Sequence, residues 1–397
     1  MEVLLVSYFS KEVTYGKGRL GNLMRFLPKG TRFTLLATDF DHRKKRYYEE
    51  SEKPSISEAG VENIYIHIHS YKKNLSLKRI LGNFKFGLGV RKYLSESSKD
   101  FDLIYCIVPS ASGVLGCRSY LKAHKAKLVV DVMDLLPESL LPIIGDNFLT
   151  RLLLKPWFWL SKKAYKTAHF IMGESKEYAN IAHNCNPAVP FTYTYLGIDM
   201  KKIEAIIRNS MFRLPDDGCI KICYGGNLGN SYDFDGMIDA LSLLKDKGIH
   251  YSMYFVGGGD KEDYVRSKIK EASVCAVVTG IVPYETYIEY MSQCDIGLNI
   301  FKKGTKIVHS YKFNDYAACG LYIINNLHGE TEEMINEFDC GFTTDTLSET
   351  LLEVCASWQE YKVKKQNSRI LVEKELDSNT IYKKQTDKIL EALHVSK

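Results

Sequence analysis

Ile220-Lys221-Ile222-Cys223-Tyr224-Gly225-Gly226-Asn227-Leu228-Gly229 is the stretch whose reading decides the fold. A short β-branched and aromatic run enters a glycine turn, and a helix-length amphipathic segment, 236–245, follows. That order places the turn at the end of a buried strand and at the mouth of a helix. Glycines there let backbone N–H groups approach a phosphate with no Cβ in the way. Downstream the rhythm repeats, with strands predicted at 220–224, 251–256, 274–279, 296–299 and 322–324. Upstream the same alternation predicts strands at 3–8, 33–37, 63–68, 103–108, 128–132, 170–172 and 191–195. Strands alternating with helices are the sequence form of a parallel sheet covered on both faces. The expected fold is therefore α/β, with two doubly wound Rossmann-like domains facing across a cleft. Expected boundaries are 1–196 for an acceptor-binding domain, 197–376 for a nucleotide-sugar domain, and 377–397 for a closing helix that packs back on the first.

A length of 397 residues agrees with two or three domains at about 150 residues each. Hydrophobic residues at 45% and charged residues at 25% exclude a disordered, collagenous or coiled-coil chain. The net charge of +5 is too small to argue a nucleic-acid partner. Ten cysteines include no C-x-x-C pair, which argues against zinc. Several, such as Cys106 in LIYCIV, sit in apolar runs suited to a reduced core residue. The start MEVLLVSYFS has no basic leader, and no run of about 18 apolar residues occurs, so the expected location is cytoplasmic.

Gly16-Lys17-Gly18-Arg19-Leu20-Gly21 is a literal G-x-G-x-x-G, with Asp39 where a ribose-binding acid would stand. Taken alone it reads as an NAD(P)-dependent oxidoreductase. The intervening segment 9–15 displaces it from the strand end, and Lys17 and Arg19 make it basic. We read Gly16, Lys17, Gly18 and Arg19 as a cationic acceptor-binding loop, with a glycine-rich surface turn as the plainer alternative. Asp39-Phe40-Asp41 and Asp233-Phe234-Asp235 both match an acidic metal pattern, and two hits in one chain show how easily it arises. Asp233 or Asp235 fits better as a helix cap, and no metal site is expected.

After the glycine turn come Val256-Gly257-Gly258-Gly259, Thr279-Gly280-Ile281-Val282-Pro283, Cys294-Asp295-Ile296-Gly297-Leu298 and Ser310-Tyr311-Lys312-Phe313-Asn314-Asp315-Tyr316-Ala317-Ala318-Cys319-Gly320. In order and approximate spacing this series resembles the retaining glycosyltransferases of family 4, of GT-B architecture. Asp131-Val132-Met133-Asp134-Leu135-Leu136-Pro137-Glu138-Ser139 looks like the D-L-W-P-E-S element of bacterial enzymes that build surface and capsular polysaccharide or lipopolysaccharide. Leu196-Gly197-Ile198-Asp199 resembles the family's interdomain junction. The resemblance implies metal-independent transfer, with retained configuration, from a nucleotide diphosphate sugar used as co-substrate. Donor contacts then fall to Gly226, Asn227, Gly229, Gly258, Thr279, Gly280, Ser310, Tyr311, Lys312 and Asp315. Two departures stand out. Ile307 replaces a glutamate of the family pattern, with Asp315 at its second position, and Asn227, Asn230 and Ser231 occupy the turn where an arginine and a lysine are common.

Lys312 and nearby amides are therefore expected to neutralise the diphosphate, and Asp315 to accept ribose hydroxyls. Asp134 and Glu138, just past the strand at 128–132, are the candidates to orient an acceptor hydroxyl or take its proton. Both also fit a plain capping role. Segment 151–163, RLLLKPWFWLSKK, and the stretch carrying Lys72, Lys73, Lys78, Arg79 and Lys85 mix basic with apolar residues. An anionic inner leaflet would attract them at roughly 1 kcal/mol per charge, which would make the saccharide acceptor polyprenyl-linked. In the alternative, Leu153, Trp157 and Leu160 pack on the sheet. A GT-B scaffold without catalysis is the remaining non-enzyme reading.

Overall fold

The computed structural model describes residues 1–9, 18–73, 76–305 and 307–394. The chain forms two compact units, Met1–Leu196 with the chain from Tyr382 onward, and Gly197–Ile381.

The first unit is built on seven strands: β1 (Glu2–Ser7), β2 (Arg32–Thr38), β3 (Glu62–Ile66), β4 (Leu103–Val108), β5 (Lys127–Val132), β6 (Phe170–Gly173) and β7 (Phe191–Tyr193). They pair in parallel in the order β3-β2-β1-β4-β5-β6-β7. Every residue of β4, LIYCIV, is buried, because helices cover both faces of a parallel sheet. Alternation sorts β1 between two cores: Leu4 and Val6 join the cluster on one face, and Val3 and Leu5 the cluster on the other. Helix α1 (Gly18–Phe26) sends Leu20, Leu23 and Met24 into the second of these cores. On the other face lie α2 (Leu77–Glu96), capped by Ser76, and α3 (Phe148–Tyr165), capped by Asn147. Gly87 lets α2 approach the helix Ala111–Gly116, since a Cβ there would lie 2.4 Å from the Ser112 carbonyl oxygen.

The second unit has six parallel strands: β8 (Ile220–Gly225), β9 (Tyr251–Val256), β10 (Ala276–Val278), β11 (Ile296–Asn299), β12 (Tyr322–Asn325) and β13 (Gly341–Thr343), in the order β10-β9-β8-β11-β12-β13. The strand expected at 274–279 contracts to β10, and β13 was not anticipated. Helices α4 (Phe234–Asp246), α5 (Tyr284–Ser292) and α6 (Tyr311–Cys319) cover this sheet. The closing helix α7 (Ser378–Ala392) leads to Ile389, Leu390 and Leu393, which join the first unit's second core. In both units the first strand lies beside the fourth, so each sheet has a switch point where ligands bind outside the strands' carboxyl ends.

Candidate functional site

The second unit's switch point falls between β8 and β11, and the chain there is shaped to leave room. Gly226, at φ +112°, turns the chain out of β8 and donates its N–H to the Val256 carbonyl at 2.9 Å. Gly257, at φ +143°, passes so close that a Cβ would stand 2.0 Å from the Gly226 oxygen. Its N–H is held by the Thr279 hydroxyl at 3.2 Å. A cavity of about 460 Å³ opens beside these crossing turns. Gly226, Asn227 and Gly258 line it from the turns, and Ser310, Tyr311, Lys312 and Asp315 from the start of α6. Of the other expected donor residues, Thr279 supports the turn from behind, and Gly229 and Gly280 are not in the cavity wall.

Buried asparagines fix the start of α6. The Ser310 side chain caps the helix by accepting the Phe313 N–H, and its hydroxyl donates to Asn299 Oδ1 at 2.8 Å. Asn299 in turn donates to Asn325 Oδ1 at 2.8 Å, and Asn325 donates to the Leu327 carbonyl at 2.7 Å. This relay ties the helix N-terminus to the ends of β11 and β12. The positive end of the helix dipole is thereby held at the cavity.

Lys312 is the unusual group of the site. It is 7% exposed, and its Nζ has no hydrogen-bond partner. The amine lies 3.5 Å from the ring centre of Tyr232, 3.9 Å from Tyr224 and 5.5 Å from Phe301. Burial pushes its pKa well below the ordinary lysine value. One helical turn on, Asp315 accepts a hydrogen bond from the Tyr284 hydroxyl at 2.9 Å. Burial lifts this carboxyl to about 6, against the hydrogen bonds of Tyr284 and Tyr287. Lys312 and Asp315 thus share one cavity wall, as their three-residue spacing on a helix allows. The aromatic cage and Tyr284 were missed in the sequence, since residues 224, 232 and 301 meet only through the sheet.

In the first unit, Gly16 and Lys17 lie outside the described residues. Gly18, at φ +61°, opens α1 and accepts a hydrogen bond from the Asn22 amide at 2.9 Å. Arg19 is a correction to the cationic-loop expectation. It is buried, with Nε and Nη2 on the two oxygens of Asp131 at 2.5 and 2.9 Å. Its remaining bonds go to the carbonyls of Thr194 and Gly173 at 2.8 and 3.0 Å. Four of its five N–H donors thus tie α1 to β5, β6 and the segment after β7, a buried role unlike that of a loop cation.

Asp134 follows β5 and is raised by burial, despite hydrogen bonds from Ser139 and the Leu135 N–H and the charge of Arg79. Glu138 opens a three-residue 3-10 turn, Glu138–Leu140, and one of its carboxyl oxygens is buried without a partner. It too is raised, first by burial and further by Asp134. Sequence reasoning missed Glu174, the residue directly after β6, whose carboxyl burial lifts to about 7. Its place at a parallel strand's carboxyl end was the available signal.

The acidic pairs resolve locally. Asp39 accepts from His67 at 2.6 Å, Asp41 accepts the N–H groups of Arg43 and Lys44, and Asp233 caps α4 by accepting the Gly236 N–H. Asp235 accepts from the Tyr264 hydroxyl, and Asp295 pairs with Lys365. Among the described residues no helix is long and apolar enough to cross a membrane. Of the residues expected to pack on the sheet, Leu160 packs against the first core whereas Leu153 is 77% exposed, and Trp159 is exposed as well.

No family model and no curated protein matches the sequence. Solved structures do resemble it. Sucrose-phosphate synthase from Thermosynechococcus elongatus is 14% identical over 100% of both chains, with a TM-score of 0.67. HepE from Anabaena, solved in complex with UDP, is 15% identical over 99% of this chain and 100% of its own, with a TM-score of 0.66. WaaG, a glycosyltransferase involved in lipopolysaccharide biosynthesis, is 14% identical over 98% and 99%, with a TM-score of 0.62. The likeness is one of fold, and the chain has the two-sheet GT-B fold of these proteins.

Proposed function

We propose that the protein is a glycosyltransferase of the retaining, family 4 type, moving a sugar from a nucleotide diphosphate sugar to a saccharide acceptor. The observation that carries this reading is the pairing of Lys312 and Asp315 in one cavity beside the crossing glycine turns. A buried amine without a partner, next to a capped helix N-terminus and turn amides, is an anion site awaiting its anion. A carboxylate one helical turn away can accept ribose hydroxyls. The neighbour HepE was solved with UDP and with UDP-glucose, which supports a nucleotide sugar as the co-substrate.

In the reaction the bond from the anomeric carbon to the diphosphate breaks, the acceptor hydroxyl oxygen bonds to that carbon on the same face, and negative charge grows on the departing phosphate. Burial lowers the pKa of Lys312, and an arriving diphosphate favours its protonated form. Its ammonium and the amides at the α6 N-terminus then stabilise the leaving group without a metal. Asp134, raised by burial, orients the acceptor hydroxyl and accepts its proton, with Glu138 beside it. The acceptor is lipid-linked, the product belongs to bacterial surface polysaccharide, and segment 151–163 rests on the inner leaflet.

A thermal-shift panel of UDP-, GDP-, ADP- and CMP-sugars tests this, because a ligand bound only by the folded form raises the melting temperature. One nucleotide class should raise it, and an Asp134→Ala variant should keep that shift while losing nucleotide release from the donor. A shift with NAD(P)H and none with nucleotide sugars would reject the reading in favour of an oxidoreductase.

A further inference from the structure

Helix α2 exposes Leu77, Leu81, Phe84 and Leu88, at 78, 56, 49 and 66%. Their spacing puts them on one stripe. Helix α3 exposes Phe148, Leu149, Leu152, Leu153 and Trp159, between 53 and 78%. Soluble surfaces rarely leave so much hydrocarbon in water unless something covers it. Between the two helices lies a groove of about 520 Å³. Ile80 and Phe84 form one wall, Leu153 and Trp157 the other, with Pro109 and Ala111 just past β4 at its floor. The Ser112 hydroxyl in the wall is already satisfied by the Asn83 carbonyl at 2.5 Å. The groove therefore suits a hydrocarbon chain and offers little to a sugar.

Charge says what kind of chain. Helix α2 carries Lys78, Arg79, Lys85, Arg91 and Lys92 with no acid before Glu96, and α3 carries Arg151, Lys155, Lys162 and Lys163 with none at all. Position says which molecule. Arg79 adjoins the lining residue Ile80, stacks on Phe9 and Tyr71 at 5.6 and 5.8 Å, and exerts its charge on Asp134. Arg79 thus stands on the helix that walls the groove and within electrostatic reach of Asp134, where the phosphate between a lipid chain and its saccharide would fall. We propose that the groove between α2 and α3 holds the apolar chain of a lipid acceptor, with Arg79 meeting the phosphate that joins chain to saccharide. This rests on the glycosyltransferase reading above and adds to it the site of the lipid.

The test is calorimetric titration of the full chain with farnesyl diphosphate, farnesol and inorganic diphosphate, with UDP titrated in parallel. Farnesyl diphosphate should bind at least tenfold more tightly than either control. Phe84→Glu and Leu153→Glu, both at exposed positions, should weaken it about tenfold or more with UDP affinity and melting temperature unchanged, and Arg79→Gln should weaken it likewise with UDP affinity unchanged. Farnesol binding as tightly as farnesyl diphosphate, or indifference of farnesyl diphosphate to all three substitutions, would overturn the proposal. UDP bound without farnesyl diphosphate overturns the groove alone. Failure of the unmodified chain to bind any nucleotide overturns the glycosyltransferase reading, and the acceptor role of the groove with it.

Discussion

Replacing Lys312 by Met separates what this residue does for the fold from what it does for a ligand. In the structure its amine has no hydrogen-bond partner and lies among three aromatic rings. An unmet buried polar group costs about 1–3 kcal/mol. Methionine has nearly the same length, and its sulfur gains about 0.3–1.5 kcal/mol against aromatic rings. The substitution should therefore stabilise the ligand-free second unit by about 1 kcal/mol, which for a body of this size is roughly 2–4 °C in melting temperature. The gain has a pH signature. Because the amine's pKa is lowered on folding, the unfolded chain holds more protons, and the unmodified protein gains stability as pH rises. The advantage of the Met variant should shrink as pH climbs toward the ordinary lysine pKa. Nucleotide binding should move the other way. Loss of a charged hydrogen bond to the diphosphate costs about 1.5–3 kcal/mol, tenfold to a hundredfold in Kd. Calorimetry in buffers of different ionisation heat should find more proton uptake on UDP binding by the unmodified protein than by the variant. A variant that melts lower and binds UDP equally well would refute the reasoning, because the ammonium would then be a charged structural bolt held by its rings.

Asp315 should make nucleotide affinity rise with pH through about 6, since only the ionised carboxylate accepts both ribose hydroxyls. An Asp315→Asn variant should bind about tenfold more weakly and lose the rise through about 6 in a fluorescence titration. Arg19→Met strands the buried Asp131 carboxylate and should cost the first unit about 3–5 kcal/mol in urea unfolding, an effect that loss of a mere surface-loop cation would not produce. Gly257→Ala forces a Cβ into the Gly226 carbonyl and should lower both the melting temperature and UDP affinity, whereas Gly304→Ala, with open space around it, should leave UDP affinity unchanged.

The strands of both sheets were legible because each buried strand is a short apolar run that contrasts with the amphipathic helices beside it. β13 escaped because it has three residues and none is buried. The glycine turns, Lys312 and Asp315 were legible as an ordered series along the chain. Arg19 was not, since its local setting, Gly-Lys-Gly-Arg, has the composition of a solvated loop, and its partner Asp131 lies 112 residues away. Pairing at that distance is set by which strands are neighbours, and composition carries no trace of it. The cage around Lys312 is hidden for the same reason: Tyr224 lies near the end of β8, Tyr232 precedes α4, and Phe301 follows β11.

The two units share a strand order, yet their carboxyl edges carry opposite chemistry, and this bears on the literal G-x-G-x-x-G at 16–21. The second unit's edge offers turn amides, a helix N-terminus and one amine. The first unit's edge offers Asp134, Glu138 and Glu174, all raised by burial. Asp134 further raises Glu138, and Asp131 with Asp134 raises Glu174 against the relief that Arg19 gives. A dinucleotide pyrophosphate at the start of α1 would add negative charge beside the Asp131 and Glu174 carboxyls, and Arg19, the described cation of the motif, is already committed to Asp131. A neutral sugar hydroxyl meets no such repulsion, and burial, by raising Asp134, makes its carboxylate a stronger base toward that proton. The electrostatics around Arg19 therefore argue against a nucleotide cofactor at this motif.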